Sequence, residues 1–233
     1  MKFENNIYMK QQHIVAYIDL LGFKNAIKQE ENLEIIEGML NNIQQYNDSH
    51  ASISTIKFED FEENICNPAV LCVSDSIIIS YPTITCTIDV ILNSLCMLMV
   101  SLADIALCSG FLIRGGVAKG NMYHLNKIIF GKAYNRAYTL ESEIANYPRI
   151  IIDKDVIDDK QVRNPEFIKS FYAEDIDGLY IMNFIQYLSS GSNFNKYLTI
   201  INNTINALEE GNIKSLVKWR WFKHHFLKSH LQS

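Results

Sequence analysis

The sequence predicts an α/β fold of the palm type, one mixed central sheet with helices packed on it, followed by a C-terminal helical extension. Three observations carry this. Runs rich in β-branched and aromatic residues alternate with segments of helical periodicity in the order strand, helix, strand hairpin, helix, strand hairpin, helix, strand. The 233 residues, 48% of them hydrophobic, supply one substantial core rather than two. After SSGSN the character changes to two helical stretches, NKYLTIINNTINALEE and IKSLVKWRWFKHHFLKSHL. The expected division is therefore residues 1–187, carrying the sheet, and residues 188–233, an extension for packing or dimerisation.

Residues 1–12 are polar and read as a frayed end or a short edge strand. HIVAYIDLLGF follows, a strand covered on both faces, which delivers Asp19 to its end before a turn at Gly22. From Lys24 to about Tyr46, Ala26, Ile27, Leu33, Ile36, Met39, Leu40 and Ile43 lie on one helical stripe, and NDSH ends it. SISTIKFEDFEENICNP reads as a strand or an excursion. AVLCVSDSIIISY, Ala69 to Tyr81, is a hairpin turning at Ser74, Asp75 and Ser76, and Pro82 stops its second strand.

A long apolar helix is expected from about Thr83 to Cys108, ending at Gly110. FLIRGGVAKG is a strand from Phe111 to Ala118, whose paired glycines, Gly115 and Gly116, signal close approach of a ligand or another backbone. It turns near Gly120 and Asn121 and returns as KIIFG, Lys127 to Gly131. KAYNRAYTLESEIA is a helix ending before Pro148, RIIID a strand, KDVIDDKQVRNPEFIKSF a helix or loop, and LYIMNFI the last strand.

The net charge of −5 provides no global basic surface to track a polynucleotide, so no nucleic-acid polymer is expected as a partner. The five cysteines lack CxxC spacing and lie mostly in apolar runs, without a secretory signal; they read as reduced, buried thiols of a cytoplasmic protein. IDVILNSLCMLMVSLADIALC is long enough to span a bilayer, yet it carries Asp89, Asn93, Ser94, Ser101 and Asp104 and no flanking basic cluster. A buried or dimer-interface helix is expected in place of a membrane span.

Asp19 and Asp75 are the candidate chemistry. Asp at a helix start is also a good cap and Asp in a tight turn is favoured unaided, so each acid has an ordinary reading. A strand end and a hairpin turn in neighbouring strands nevertheless bring carboxylates close, and such a pair repels itself unless a proton or a cation is shared. Magnesium or manganese suits oxygen donors, and two such ions about 3.5 to 4 Å apart serve in-line phosphoryl displacement. The backbone amides of Leu20, Leu21, Gly22 and Phe23 are candidate phosphate donors.

Four ordered stretches carry a resemblance. YIDLLGF, VSDSIIIS, LIRGGVAKG and FGKAYNRAYTLES resemble, in sequence order, the first metal-binding stretch, the hairpin acid, the Arg-x-Gly-x strand and the Gly-x-x-x-Asn-x-Ala helix of the class III nucleotidyl cyclases. The matches span about Ile14 to Ile152. The resemblance implies a class III cyclase-like catalytic domain over 1–187, with two Mg²⁺ or Mn²⁺ ions held by Asp19, Asp75 and the Leu20 carbonyl. It implies that Asn135 orients the ribose across a homodimer interface with shared active sites.

Departures narrow it. Leu71 and Ile128 stand where purine cyclases carry their base-reading Lys and Asp or Cys, and Thr139 stands where a transition-state Arg is usual; Arg136, Lys132 or Arg114 is left to supply the cation. The pattern is similar to the bacterial pyrimidine cyclases of the Pycsar antiphage systems, in which an Arg on the strand matching LIRGG is associated with the base pocket. The implied reaction is conversion of CTP or UTP to cyclic CMP or cyclic UMP for a downstream effector, with Arg114 as the base or phosphate contact. Thr139 also leaves open a cyclase-like protein that binds without catalysis. Lys119 reads as solvated, and His224 and His225 as parts of a packing helix rather than metal ligands.

Overall fold

The computed structural model describes residues 11–50, 56–58, 61–63, 68–84, 86–125, 128–208 and 212–231. Its centre is β1 (Gln12–Leu21), hydrogen-bonded antiparallel to β5 (Ser76–Pro82) on one side and to β6 (Leu112–Leu125) on the other. β4 (Ala69–Val73) pairs with β5, and β8 (Ile150–Ile152) runs parallel to β6. β10 (Tyr180–Met182) and β9 (Tyr172–Glu174) complete the order β4-β5-β1-β6-β8-β10-β9, and β7 (Ile128–Gly131) pairs with the far end of β6. The chain is thus mixed α/β with an eight-stranded mixed sheet. A separate two-stranded ribbon joins β2 (Ile56–Phe58) to β3 (Phe61–Glu63).

Two unequal layers cover the sheet. Even-numbered β1 residues Ile14, Ala16, Ile18 and Leu20 join α2 (Leu33–His50) and α3 (Ile88–Cys108) in the larger core. On the opposite face Val15 packs with Ile78, Ala118 and the small residues Ala133 and Ala137 of α4 (Lys132–Thr139). This is the period of two acting on a strand buried on both sides. The paired glycines of β6 serve close backbone approach. A Cβ on Gly116 would collide with the Ala137 carbonyl and Leu140, and one on Gly115 would lie 2.7 Å from the Tyr17 carbonyl.

α3 has the length and composition of a membrane-crossing helix, and half of its most apolar window is buried inside the protein. Its two acids have protein partners: Asp89 accepts the backbone N–H groups of Arg163 (2.9 Å) and Asn164 (2.7 Å), and Asp104 accepts the Tyr197 hydroxyl at 2.8 Å. Tyr197 belongs to α8 (Phe194–Leu208), which with α7 (Phe184–Ser190) packs on α3, while α9 (Ile213–His230) packs on both. Phe184, Ile201, Trp219, Phe222 and Phe226 belong to the same core as β1. His225 stacks on Trp221 and its Nδ1 lies 3.0 Å from the Trp221 carbonyl, a packing role.

Several expectations are corrected. The helix expected from Lys24 is broken into α1 (Phe23–Ala26), a 3₁₀ turn at Glu30–Asn32 and α2; Ile27 and Leu33 are exposed, and α2 continues through NDSH to His50. β6 does not turn at Gly120. It continues through Gly120 and Asn121, which stay paired with His13 and Gln12 of β1, and it pairs with β7 only from Met122 onward. α3 begins at Ile88, five residues after Thr83. α4 passes into a π-helical turn, Leu140–Ile144, before Pro148. LYIMNFI is strand only to Met182, and the stretch before it holds α5 (Lys154–Ile157), α6 (Pro165–Ile168) and β9. Cys86 is disulfide-bonded and Cys108 is exposed, so the cysteines are not uniformly buried thiols; Cys66 and the N-terminal ten residues lie outside the described residues.

Candidate functional site

The site forms where β1 ends. In the register, Asp19 stands opposite Ser76 of β5 on one side and Arg114 of β6 on the other, so three polar residues form one row across three strands, on the sheet face that α4 covers. The hairpin tip is a two-residue turn, Ser74 and Asp75, with Ser74 at φ 57°. Its Asp75 carbonyl accepts the Leu20 N–H at 2.9 Å, which ties the second acid to the end of β1. That bond also occupies one of the four amides expected to donate to a phosphate. After Leu21 the chain reverses at Gly22, whose φ of 101° is in the region that favours glycine.

A cleft of about 490 Å³ opens over this row. Asp19, Leu20, Leu21, Gly22, Phe23, Asp75 and Arg114 all line it. Tyr17 and Ser76 form part of its floor, their hydroxyls 2.7 Å apart. Three residues singled out by sequence stand elsewhere on α4: Lys132 and Asn135 are exposed, and Arg136 is held by Asp153 at 2.6 Å. Leu71 is half-buried on β4, Ile128 is exposed on β7, and neither lines the cleft. Lys119, expected in solvent, is mostly buried and paired with Asp159 at 2.5 Å.

The cleft also contains residues that sequence reading missed. Glu141, on the first turn of the π-helical segment, is 4% exposed at its side chain and forms an ion pair with Arg114, which in turn reaches Asp19 at 3.4 Å. Its available signal was a charge on an apolar stripe: Ala133, Ala137, Leu140 and Glu141 are the buried positions of that helix. Asn212, Lys214, Ser215 and Lys218 come from the cap and first turns of α9, far along the chain from Ser142, the preceding lining residue. Asn212 caps that helix by accepting the Ser215 N–H at 3.1 Å.

Charge is concentrated here. Burial pushes the Asp19 carboxyl above its ordinary value; Arg114 opposes this, and the Asp75 charge adds to it. Glu141 is likewise pushed up, mainly by burial and against the pull of Arg114. Lys218 is pushed down by burial and by the Arg114 charge. Arg114 Nε is buried with no hydrogen-bond partner among the described residues.

The donor chemistry fits a hard divalent cation in one specific way. Asp19 and Asp75 line the same cleft, and the Asp75 charge disfavours ionisation of Asp19, which a cation between them would relieve. Among the described residues no group of three or more His, Cys, Asp or Glu side chains is arranged to hold a metal. An ion here would therefore take its remaining ligands from water and substrate phosphates, as magnesium commonly does. No protein-family model and no curated protein matches the chain.

Proposed function

We propose that the chain is a metal-dependent pyrimidine nucleotide cyclase of class III type, converting CTP or UTP to the 3′,5′-cyclic monophosphate and pyrophosphate. The observation that carries the proposal is the Ser76-Asp19-Arg114 row beneath a cleft of about 490 Å³ that also receives Asp75. The cleft has the size of a small-molecule site, and its mixed acids and cations suit a metal-triphosphate better than an apolar ligand. Two of the resemblance's stretches meet at the Asp19-Asp75 pair, and a third brings Arg114 against Asp19.

In this reading Asp19 and Asp75, with the Leu20 carbonyl, hold the ions, which would lower the pKa of the ribose 3′-hydroxyl and neutralise the triphosphate. The 3′-oxygen forms a bond to the α-phosphorus, the bond to the bridging oxygen of the β-phosphate breaks, and the hydroxyl proton leaves to solvent. Arg114, anchored by Glu141, meets the nucleotide with the guanidinium edge that its carboxylate partners leave free. Exposed Asn135 and Lys132 would act from a second subunit, and Leu71 and Ile128 mark the absence of purine-reading side chains. The enzyme would be a cytoplasmic homodimer, linked to an antiphage effector by its product alone.

The deciding experiment incubates the purified protein with each of the four ribonucleoside triphosphates and Mn²⁺. Cyclic CMP or cyclic UMP with pyrophosphate is the expected product; no cyclic product from any, or mainly cyclic AMP, overturns the proposal. A second reading, a cyclase-like protein that binds a nucleotide without turnover, is favoured by the pairing of Arg136 with Asp153 away from the cleft. Tight binding of CTP or UTP by calorimetry without product would establish it.

A further inference from the structure

The charges lining the cleft do not cancel locally. Asp19, Asp75 and Glu141 face four cations, Lys24, Arg114, Lys214 and Lys218. Arg114 is already engaged by two carboxylates. Lys214 and Lys218 are one turn apart on the same side of α9 and make no ion pair or hydrogen bond with a described residue. Lys214 is exposed, which is the ordinary state of a solvated lysine. Lys218 is not: it is half-buried, with Trp219 beside it in the core and with Arg114, Asp19 and Glu141 among the nearest charges. An ammonium that has lost part of its hydration, stands near a guanidinium and feels the Asp19 and Glu141 charges without pairing directly with either is a group prepared for an anionic ligand.

Its position narrows the ligand. Lys218 also lines a second cavity of about 190 Å³, which shares Leu21, Gly22, Asn25, Asn212 and Ser215 with the main cleft. The shared wall is thus the reversal after β1 facing the capped start of α9. Two lysines, a serine hydroxyl and the left-handed turn at Gly22 line one cavity together with the acids. A ligand that satisfies both signs of charge needs a cation-binding part toward Asp19 and Asp75 and an extended anionic part toward α9.

We propose that Lys218, assisted by Lys214, binds the polyphosphate of the nucleotide, so that α9 completes the nucleotide cleft from within the same chain. This rests on the nucleotide reading of the cleft. It gives the C-terminal segment a role in substrate binding, and it supplies cationic charge that the sequence lacks at Thr139. Lys218 is a binding residue for the phosphate chain, whereas Arg114 remains the contact built on the sheet.

Calorimetric titration of the full-length protein with magnesium tripolyphosphate tests this without requiring turnover. The wild-type chain is expected to bind; Lys218→Ala and Lys218→Met weaken binding by about tenfold or more, as loss of a charge-assisted contact does, while Lys218→Arg stays within about threefold. Lys218→Met keeps the apolar stem, so equal melting curves with weakened binding separate the charge from packing. Unchanged affinity in both neutral variants, or a wild-type chain that binds no tripolyphosphate, overturns the proposal. If the wild type cyclises a pyrimidine nucleotide but Lys218→Met leaves KM and tripolyphosphate affinity unchanged, the phosphate role fails and the cyclase reading survives. If tripolyphosphate binds through Lys218 but no nucleotide is cyclised, the phosphate role stands and the cyclase reading fails.

Discussion

Arg114 joins two carboxylates from different layers of the protein: Asp19, its register partner on β1, at 3.4 Å, and Glu141, on the helical segment above the sheet. The side chains of Arg114 and Glu141 are 18% and 4% exposed, so water replaces a lost partner only in part. Truncation to Arg114→Ala is expected to lower stability by about 3 kcal/mol, the scale for leaving one member of a buried pair uncompensated. Arg114→Leu combined with Glu141→Leu should recover most of that loss, since both charges are then removed together. Urea denaturation of the single and double variants measures the difference; equal losses in the two would mean that Glu141 does not depend on Arg114.

Asp75 can be removed at less structural cost. What ties its turn to β1 is its backbone carbonyl, which accepts the Leu20 N–H and survives substitution of the side chain. Asp75→Ala is therefore expected to keep the melting temperature within a few degrees while abolishing cyclase turnover, if the carboxylate holds a metal. Retained turnover would remove Asp75 from the site. A large drop in melting temperature would show that the carboxylate supports the turn.

Gly116 tests the packing of α4 over the site. Its added Cβ would meet the Ala137 carbonyl and Leu140, both rigid parts of the helix, so Gly116→Ala should cost about 1 to 3 kcal/mol as overpacking does. Gly38 is the control. It lies inside α2, where an added Cβ would have nothing within 4 Å, and Gly38→Ala should stabilise by about 0.5 to 1 kcal/mol. Thermal melts of the two variants should move in opposite directions, and a neutral Gly116→Ala would contradict the close approach.

The residues that sequence reading identified best are those whose role is local. Asp19 ends a run of strand-forming residues, and Asp75 sits in the tripeptide between two such runs, so period and turn chemistry were enough to place both acids. The order of major strands and helices followed from the same signals. Lengths did not, because they depend on tertiary pairing: β6 passes through Gly120 and Asn121 where the composition suggests a turn, since both stay paired with β1. Glu141 was hidden among the charges of TLESE, and its burial depends on Arg114, 27 positions earlier. The arrival of Lys218 is less legible still, because nothing in IKSLVKWRWF distinguishes a lysine facing a cleft from one facing water.

Glu141 should also leave a signature in the pH dependence of stability. Its folded-state carboxyl is pushed above its ordinary value of 4.5, chiefly by burial, so the native chain binds that proton more tightly than the unfolded chain. Stability from this group is thus fully present at acid pH and is lost as pH rises from about 4.5 through the raised folded value. Glu141→Gln removes the titration. In metal-free buffer, the stability of the variant relative to wild type should rise across that window and then level off. Asp177, held below its ordinary value by Arg149, has the opposite dependence but is common to both proteins and cancels. A relative stability that falls with increasing pH would reverse the assignment.

The C-terminal helices give the last test, because the sequence leaves their attachment to the sheet open. Phe226 of α9 is fully buried, stacks on Phe194 of α8 at 5.1 Å and belongs to the core that contains β1. Phe226→Ala should therefore cost about 3 to 5 kcal/mol, the range for deleting a buried aromatic ring. The loss should appear in one cooperative transition, reported equally by tryptophan fluorescence from Trp219 and Trp221 and by far-ultraviolet circular dichroism of the whole chain. If α9 unfolded independently, the fluorescence would change first and the far-ultraviolet signal would retain the sheet. Coincident curves would mean that the helix carrying Lys218 cannot leave the cleft without unfolding the sheet that carries Asp19.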